Sequence, residues 1–263
     1  MKEIYLEELR VIQLELLQQI ADFCEKNNIK YFLAYGTLIG AIRHKGYIPW
    51  DDDIDIVMPR DDYDRFLELY NEAYPFSKVV DMYNTKHYGF AFAKVHDVRT
   101  IIYETQYAQD SFGVFVDVFP IDGIKGESQI MNVIKLRKLL HTKKANFSQR
   151  KTSKKIINFF GKILLLPISV HSLLKVIDKI ARKYPFGSTA KCACIVEPFG
   201  PKEIVDTSIF NSSILHEFEG KQYRIPVGYD QWLRSIYGDY MQMPPVEKRQ
   251  SHHIFKAWWK EGS

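Results

Sequence analysis

Three cysteines in 263 residues, Cys24, Cys192 and Cys194, are too few and odd in number for a disulfide framework. Their scarcity excludes a stapled secreted scaffold and fits a reducing compartment. Cys192-Ala193-Cys194 has no further Cys or His at ligand spacing, so it reads as two buried thiols rather than a zinc or redox site. The first residues, Met1-Lys2-Glu3-Ile4-Tyr5-Leu6-Glu7-Glu8, lack an apolar stretch behind a basic start. No secretory signal is therefore expected, and cytoplasmic residence is. Long hydrophobic runs are missing too: the apolar stretch from Phe159 to Ile168 is short and is interrupted by Gly161, Lys162 and Pro167, which excludes it as a bilayer span. Neither internal repeats nor low-complexity tracts are present. Acids are scarce in one place, residues 128–184, where 11 Lys and 3 Arg face the single acid Asp178. The rest of the chain, with 22 basic and 31 acidic residues, is acidic, so the net charge of +4 hides a strong asymmetry.

What the chain does have is apolar content, 46% of its residues, enough to bury one large core or two modest ones. Residues 3–26 carry Ile4, Leu6, Leu9, Ile12, Leu16, Ile20 and Phe23 near helical spacing, with Asn27-Asn28 as the stop. Residues 31–34 read as a short buried strand that runs into Gly36-Thr37 and a short helix over 38–43. Gly46 and Pro49 break the chain before an acidic strand over 53–58, which Pro59 ends, and a helix is expected over 60–74. Further strands are expected over 79–83, 90–95 and 100–103. The strongest is Val114-Phe115-Val116-Asp117-Val118-Phe119, bounded by Gly113 and Pro120. Residues 128–145 and 154–183 read as helices with a break at Pro167. The part from Pro185 onward reads as loop-rich, with helical pieces over 229–237 and 254–259.

The run Trp50-Asp51-Asp52-Asp53-Ile54-Asp55-Ile56 concentrates carboxylates. On an extended strand side chains alternate, so Asp51, Asp53 and Asp55 share one face while Asp52 and Ile54 share the other. Ionised carboxylates that close repel one another unless a cation lies among them. Hard oxygen donors without Cys or His suit Mg²⁺ or Mn²⁺. A calcium loop is a poor fit, because its sixth position would be Ile56 instead of Gly and its twelfth Asp62 instead of Glu. Upstream, Gly36-Thr37 at a helix start can present backbone N–H groups and a hydroxyl to a phosphate. Downstream, Asp117 stands alone in an apolar strand, placed to complete a metal site or to take a proton from an incoming hydroxyl. Asp122 reads as a turn cap before Gly123. Lys94 and Arg99 flank a strand pair and offer phosphate contact or a surface role. His252 and His253 read as packing or exposed residues of an aromatic tail.

The stretch from Tyr35-Gly36-Thr37 through Arg43-His44-Lys45-Gly46-Tyr47-Ile48-Pro49-Trp50 to Asp55-Ile56 resembles the signature of the LicD-like phosphocholine transferases. The same group includes the fukutin-related pentitol-phosphate transferases. The likeness continues in Pro59-Arg60, Asp62-Tyr63, the block from Phe115 to Gly123, the tail Tyr237-Gly238-Asp239-Tyr240-Met241 and Pro244-Pro245. It implies an α/β (α+β) protein with a small, mixed, nucleotidyltransferase-like sheet. Residues 1–125 would form the N-terminal helix and catalytic core, and 126–263 a basic helical and loop-rich part packed on it. The implied activity is metal-dependent transfer of a phospho-alcohol, phosphocholine first, from CDP-choline or another CDP-activated alcohol to a hydroxyl of a glycan or lipid-linked glycan. By this resemblance Asp53, Asp55 and Asp117 would be catalytic metal ligands and Asp51 a further ligand or an acid just behind them, with Mg²⁺ or Mn²⁺ as cofactor. Gly36 and Thr37 would touch the donor phosphates, while Arg43, His44 and Lys45 would neutralise the diphosphate or the leaving nucleotide. Two rivals are nucleotidyl transfer with release of pyrophosphate and a catalytically silent binding protein on the same fold.

The basic segment 128–184 has three readings. A helix with Lys on one face and Leu, Ile and Phe on the other can lie on an anionic leaflet, where each basic residue contributes about 1 kcal/mol. That would bring the enzyme to the inner face of the cell membrane and to a lipid-linked acceptor. A solvated basic face over a buried apolar side is the plain structural alternative. A nucleic-acid partner is not expected, since no recognition module accompanies the charge. Liposome flotation separates these readings: recovery that requires anionic lipid is expected for the leaflet reading, and recovery indifferent to lipid rules it out.

Overall fold

The computed structural model describes residues 1–104, 112–144, 168–249 and 255–262. In chain order the main elements are β1 (Lys2–Ile4), α1 (Leu6–Lys26), β2 (Phe32–Leu33), α2 (Tyr35–His44), β3 (Asp55–Pro59) and α3 (Arg60–Leu69). Then come β4 (Ser77–Val80), β5 (Ala93–Asp97), β6 (Thr100–Glu104), β7 (Phe115–Ile124), α4 (Glu127–Lys144) and α5 (Val170–Ala181). The remaining part holds β8 (Lys191–Ala193), β9 (Val205–Asp206), β10 (Ser213–Phe218), β11 (Lys221–Pro226), α6 (Tyr229–Tyr237) and β12 (Phe255–Trp259). The chain is an α/β protein, as the resemblance implies.

A mixed sheet in the order β2-β3-β7-β5-β4 forms the centre. Strands β3 and β7 run parallel, and β2, β5 and β4 join antiparallel. Ile56, Val57 and Met58 of β3 and all of β7 are buried, which is why these strands read as near-continuous apolar runs instead of alternating ones. Helix α1 lays Leu9, Ile12, Leu16, Leu17, Ile20, Phe23 and Cys24 inward at helical spacing. It ends where Asn28 adopts a left-handed φ of 51° and Ile29 N–H bonds back to Cys24 O at 2.9 Å.

Several expectations need correction. Residues 2–4 form a strand ahead of α1, and residues 255–259 form a strand where a helix is expected from 254. These two pair with each other and with β6 in a three-stranded sheet, β1-β12-β6. Pairing partners this distant leave no local period to read. The acidic strand begins only at Asp55, so Asp51, Asp52 and Asp53 lie in the irregular segment before it. The helix from Arg60 ends at Leu69 and gives way to a 3₁₀ turn, Tyr70–Glu72. Strand β7 runs through Pro120 to Ile124. That proline is tolerated because pairing with β5 stops at Val118, leaving no ladder partner there for the missing N–H. Beyond it, β8 pairs with Asp122, Gly123 and Ile124, and β9 pairs with β8. Residues on both sides of position 125 thus contribute to one continuous set of strands. The loop-rich part also holds an unanticipated hairpin, β10-β11, whose turn residues Glu219 and Gly220 have φ of 49° and 74°. Of the basic segment, α4 and α5 are described. Helix α5 turns Leu173, Leu174, Ile177 and Ala181 inward, while the apolar run over 159–167 and the pair His252-His253 lie outside the described residues.

A buried ion network ties the helices to the sheet. Arg60, at the start of α3, donates to both carboxylate oxygens of Asp122 at 2.7 and 2.5 Å and pairs with Asp178 of α5 at 3.3 Å. Tyr83 and Arg182 also donate to Asp178, each at 2.7 Å, and Arg182 forms a two-pronged pair with Asp64. Asp122 is fully buried, so its role is this ion pair and not a turn cap. Removing the arginine strands a charge in the core. Arg60→Ala is expected to lower stability by about 3–5 kcal/mol in urea denaturation, and a loss below about 1 kcal/mol would show the network to be incidental.

Candidate active site

The acidic cluster is assembled where three elements meet. Ala34 N–H donates to Asp55 O at 3.0 Å, Asp55 N–H donates to Thr37 Oγ1 at 2.9 Å, and Asp117 N–H donates to Ile54 O at 2.9 Å. These bonds lock the start of α2 to the start of β3 and the start of β3 to the middle of β7. In the parallel register Asp55 lies opposite Asp117, and on the other side of β7 Asp117 lies opposite Lys94. Tyr35 opens α2 with a left-handed φ of 46°, and its ring packs among Phe119, Phe199 and Trp232. Next to it, a Cβ on Gly36 would come within 2.6 Å of Asp51 Oδ2. Only glycine lets that carboxylate approach the helix start so closely.

The segment carrying Asp51 to Asp53 is held from the side by α1. Arg10 Nη2 donates to the carbonyls of Ile48, Pro49 and Asp51 at 3.2, 3.1 and 2.6 Å, and its guanidinium lies over the Tyr47 ring. Gln13 Nε2 donates to Asp52 O at 2.9 Å while Gln13 Oε1 accepts from Tyr47 Oη at 3.0 Å. In this irregular path the carboxylates of Asp51, Asp52 and Asp53 each place an oxygen within 4.8 Å of the others. Strict strand alternation would have sent Asp52 away; the loop brings it in.

Burial, followed by the neighbouring carboxylates of Asp53, Asp117 and Asp51, holds the Asp55 carboxyl well above its usual range, with Lys94 opposing. Lys94 is buried, donates to Asp117 Oδ1 at 2.5 Å, and has its ammonium 3.6 Å from the Phe115 ring centroid and about 5 Å from those of Phe90, Phe92 and Phe112. A hard, all-oxygen donor set whose carboxylates raise one another's pKa fits a divalent cation of the Mg²⁺ or Mn²⁺ kind.

The remaining residues singled out in the sequence are placed as follows. The Thr37 hydroxyl accepts the Asp55 N–H and is buried. Arg43 Nη1 donates to Tyr240 O at 2.7 Å and Arg43 Nε to His44 Nε2 at 3.0 Å. Burial and the Arg43 charge both lower the His44 pKa, so it stays the neutral acceptor of that bond. Lys45 leaves this pair and reaches Glu217 of the hairpin at 3.4 Å. Sequence reasoning assigned no part to Tyr237, Arg249 or Glu203. The Tyr237 phenol is pushed well above its ordinary value by desolvation of its hydroxyl end and then by the field of Asp55, Glu203, Asp51 and Asp53. Arg249 stacks over Trp50, with 5.6 Å from Cζ to the ring centroid, and its charge adds to the burial that lowers the Arg43 pKa. Tyr237 was visible only as part of a motif, and neither Arg249 nor the Arg10 clamp leaves any local signal.

The family model described as LicD/FKTN/FKRP, nucleotidyltransferase domain, matches residues 28–161, a span that includes every acid of the cluster. Over nearly its whole length the chain is similar to the lipopolysaccharide cholinephosphotransferase LicD of Haemophilus influenzae, with 34% identity across 98% of this chain and 99% of that protein. The chain belongs to the LicD family. Shorter matches reach uncharacterised proteins of Rickettsia typhi, 44% identical over 21% of this chain, and Rickettsia prowazekii, 48% identical over 18% of it. In this LicD family member Tyr237, which feels the charges of the acids from outside the family-model span, lies in the part shared with the Haemophilus relative.

Glu203 is a buried acid behind the site. Its Oε1 accepts from Tyr35 Oη at 3.1 Å, and burial raises its carboxyl from about 4.5 to about 7, with the Tyr35 bond opposing. Between those values the native state holds a proton that the unfolded chain releases, so stability falls as pH rises through the window and the penalty is complete above about pH 7. Glu203→Gln keeps an acceptor for Tyr35 and removes the titration. From pH 5 to pH 8 the variant is expected to lose about 1–3 kcal/mol less stability than the parent in urea denaturation. Equal losses would show that Glu203 titrates normally.

Proposed function

We propose that this protein transfers phosphocholine from CDP-choline to a hydroxyl of a lipopolysaccharide or related glycan and releases CMP. The observation that carries the reading is the in-register pair Asp55 and Asp117 beside the Asp51-Asp53 loop at the start of α2. The near full-length likeness to the Haemophilus cholinephosphotransferase supplies the choline and the lipopolysaccharide. Asp51, Asp53, Asp55 and Asp117 would hold Mg²⁺ or Mn²⁺, which when bound draws charge from the donor's phosphoryl oxygens. The start of α2 at Gly36 contributes backbone N–H groups and a helix dipole to the same oxygens. Arg249, which lies over Trp50, and the linked pair Arg43 and His44 would receive the charge that develops on the departing nucleotide. Lys94, bonded to Asp117, would orient that carboxylate and balance its charge.

In the proposed step the acceptor hydroxyl gives its proton to Asp117, and its oxygen attacks the distal phosphorus. The bond from that phosphorus to the bridging oxygen breaks, and CMP leaves with the electron pair. Low dielectric around the buried acids strengthens each of these interactions. No helix among the described residues is long and apolar enough to cross a membrane, so a lipid-linked acceptor would be met at the surface of the leaflet.

Incubation with CDP-choline, Mg²⁺ and lipopolysaccharide lacking phosphocholine is expected to yield CMP and modified glycan. Asp53→Ala and Asp55→Ala should each reduce the rate at least about a hundredfold. Pyrophosphate in place of CMP would favour nucleotidyl transfer, and an unaltered donor would leave the scaffold reading.

A further inference from the structure

Two aromatic surfaces adjoin the acids, and they differ in what fills them. The inner one, built from Phe90, Phe92, Phe112 and Phe115, is occupied by the chain's own cation, Lys94. The outer one consists of Phe199 and Tyr237, whose rings meet edge to face with centroids 5.8 Å apart. Among the described residues no Lys or Arg lies over either ring. Phe199 is 49% exposed and Tyr237 38%, large apolar areas to leave in water. Both are held firmly for exposed groups. Lys202 Nζ donates to Ile236 O and Ser235 Oγ donates to Lys202 O, each at 2.6 Å, which fastens the turn after Phe199 to the end of α6. The Phe199 ring also stacks on Tyr35 at 5.3 Å, next to the Gly36 position that Asp51 overhangs.

A pinned pair of open π faces beside several carboxylates attracts one kind of group, a large, weakly hydrated cation. A quaternary ammonium suits such a surface: its methyl groups cover the rings and its charge meets their π faces. A neutral glycerol or ribitol head would gain neither. We propose that Phe199 and Tyr237 form the subsite for the trimethylammonium group of the donor, so that this pair selects choline over neutral alcohols. The proposal rests on the phosphocholine reading given above and names the residues that would make it specific.

Calorimetric titration with CDP-choline and with its uncharged isostere, CDP-3,3-dimethylbutanol, tests the assignment in the presence of Mg²⁺. The parent protein is expected to bind the charged donor about tenfold more tightly. Phe199→Leu and Tyr237→Leu should each bring that ratio close to one without changing the affinity for CMP, whereas Tyr237→Phe, which keeps the ring, should preserve it. Phe199→Leu alters an exposed side chain and serves even where Tyr237→Leu fails to fold. A ratio near tenfold in Phe199→Leu, or equal weakening of both donors and CMP, overturns the subsite. Turnover of CDP-choline by a parent protein without any preference overturns the subsite and leaves the proposed function standing, while failure of the parent to bind either donor removes both.

Discussion

The molecule is organised around one electrostatic constraint, the placing of Asp55 and Asp117 in register on adjacent parallel strands. Two carboxylates in a mostly buried sheet are unstable neighbours. The fold answers on one side with Lys94, sunk among four phenylalanines and bonded to Asp117. On the other side Asp51 and Asp53 increase the negative charge. In the proposed function this gathering of carboxylates would hold a divalent cation and, through it, the phosphates of the donor. Bonds from Thr37 and Ile54 to the strand backbones keep the acids from separating to relieve the strain.

Around that centre the supporting contacts come from distant parts of the chain. Arg10 gathers three carbonyls of the loop that carries Asp51, and Gln13 bridges Tyr47 and Asp52. The hairpin tip docks Glu219 where a side chain on Gly46 would lie, and it bonds to the backbones of Tyr47 and Lys45. These contacts offset the cost of a left-handed Glu219, which a turn of this kind asks of a residue poorly suited to it. The acidic loop is therefore irregular in path and fixed in position.

Much of the central architecture was legible in the sequence because β3, β7 and α1 announce themselves through local composition. The apolar runs of Ile56 to Met58 and Val114 to Phe119, and the spacing from Leu9 to Phe23, are dictated by burial that each segment achieves with its own side chains. The acids at 51, 53, 55 and 117 were legible for the same reason: carboxylates amid apolar residues need an explanation. Less legible was everything that depends on a partner far along the chain. Alternation placed Asp52 apart because it assumed a strand that begins at Asp55 instead. Phosphate contact was expected of Lys94, which is turned inward among phenylalanines drawn from one strand and from the loops before β5 and β7. Tyr237 and Arg249 reach the site through tertiary packing alone.

The sheet that joins β1, β12 and β6 sets Lys2 opposite Trp259. A ribosome delivers those two residues at nearly opposite ends of the synthesis of this sequence, so the opening strand waits unpaired while almost all the rest is made. Helix α1, which follows that strand and carries the Arg10 clamp, can pack early, but its N-terminal tether closes last. Pairing across so long a stretch of sequence comes well after β6 has been made, and until it happens the edge of β6 stands open to pairing with a neighbouring chain.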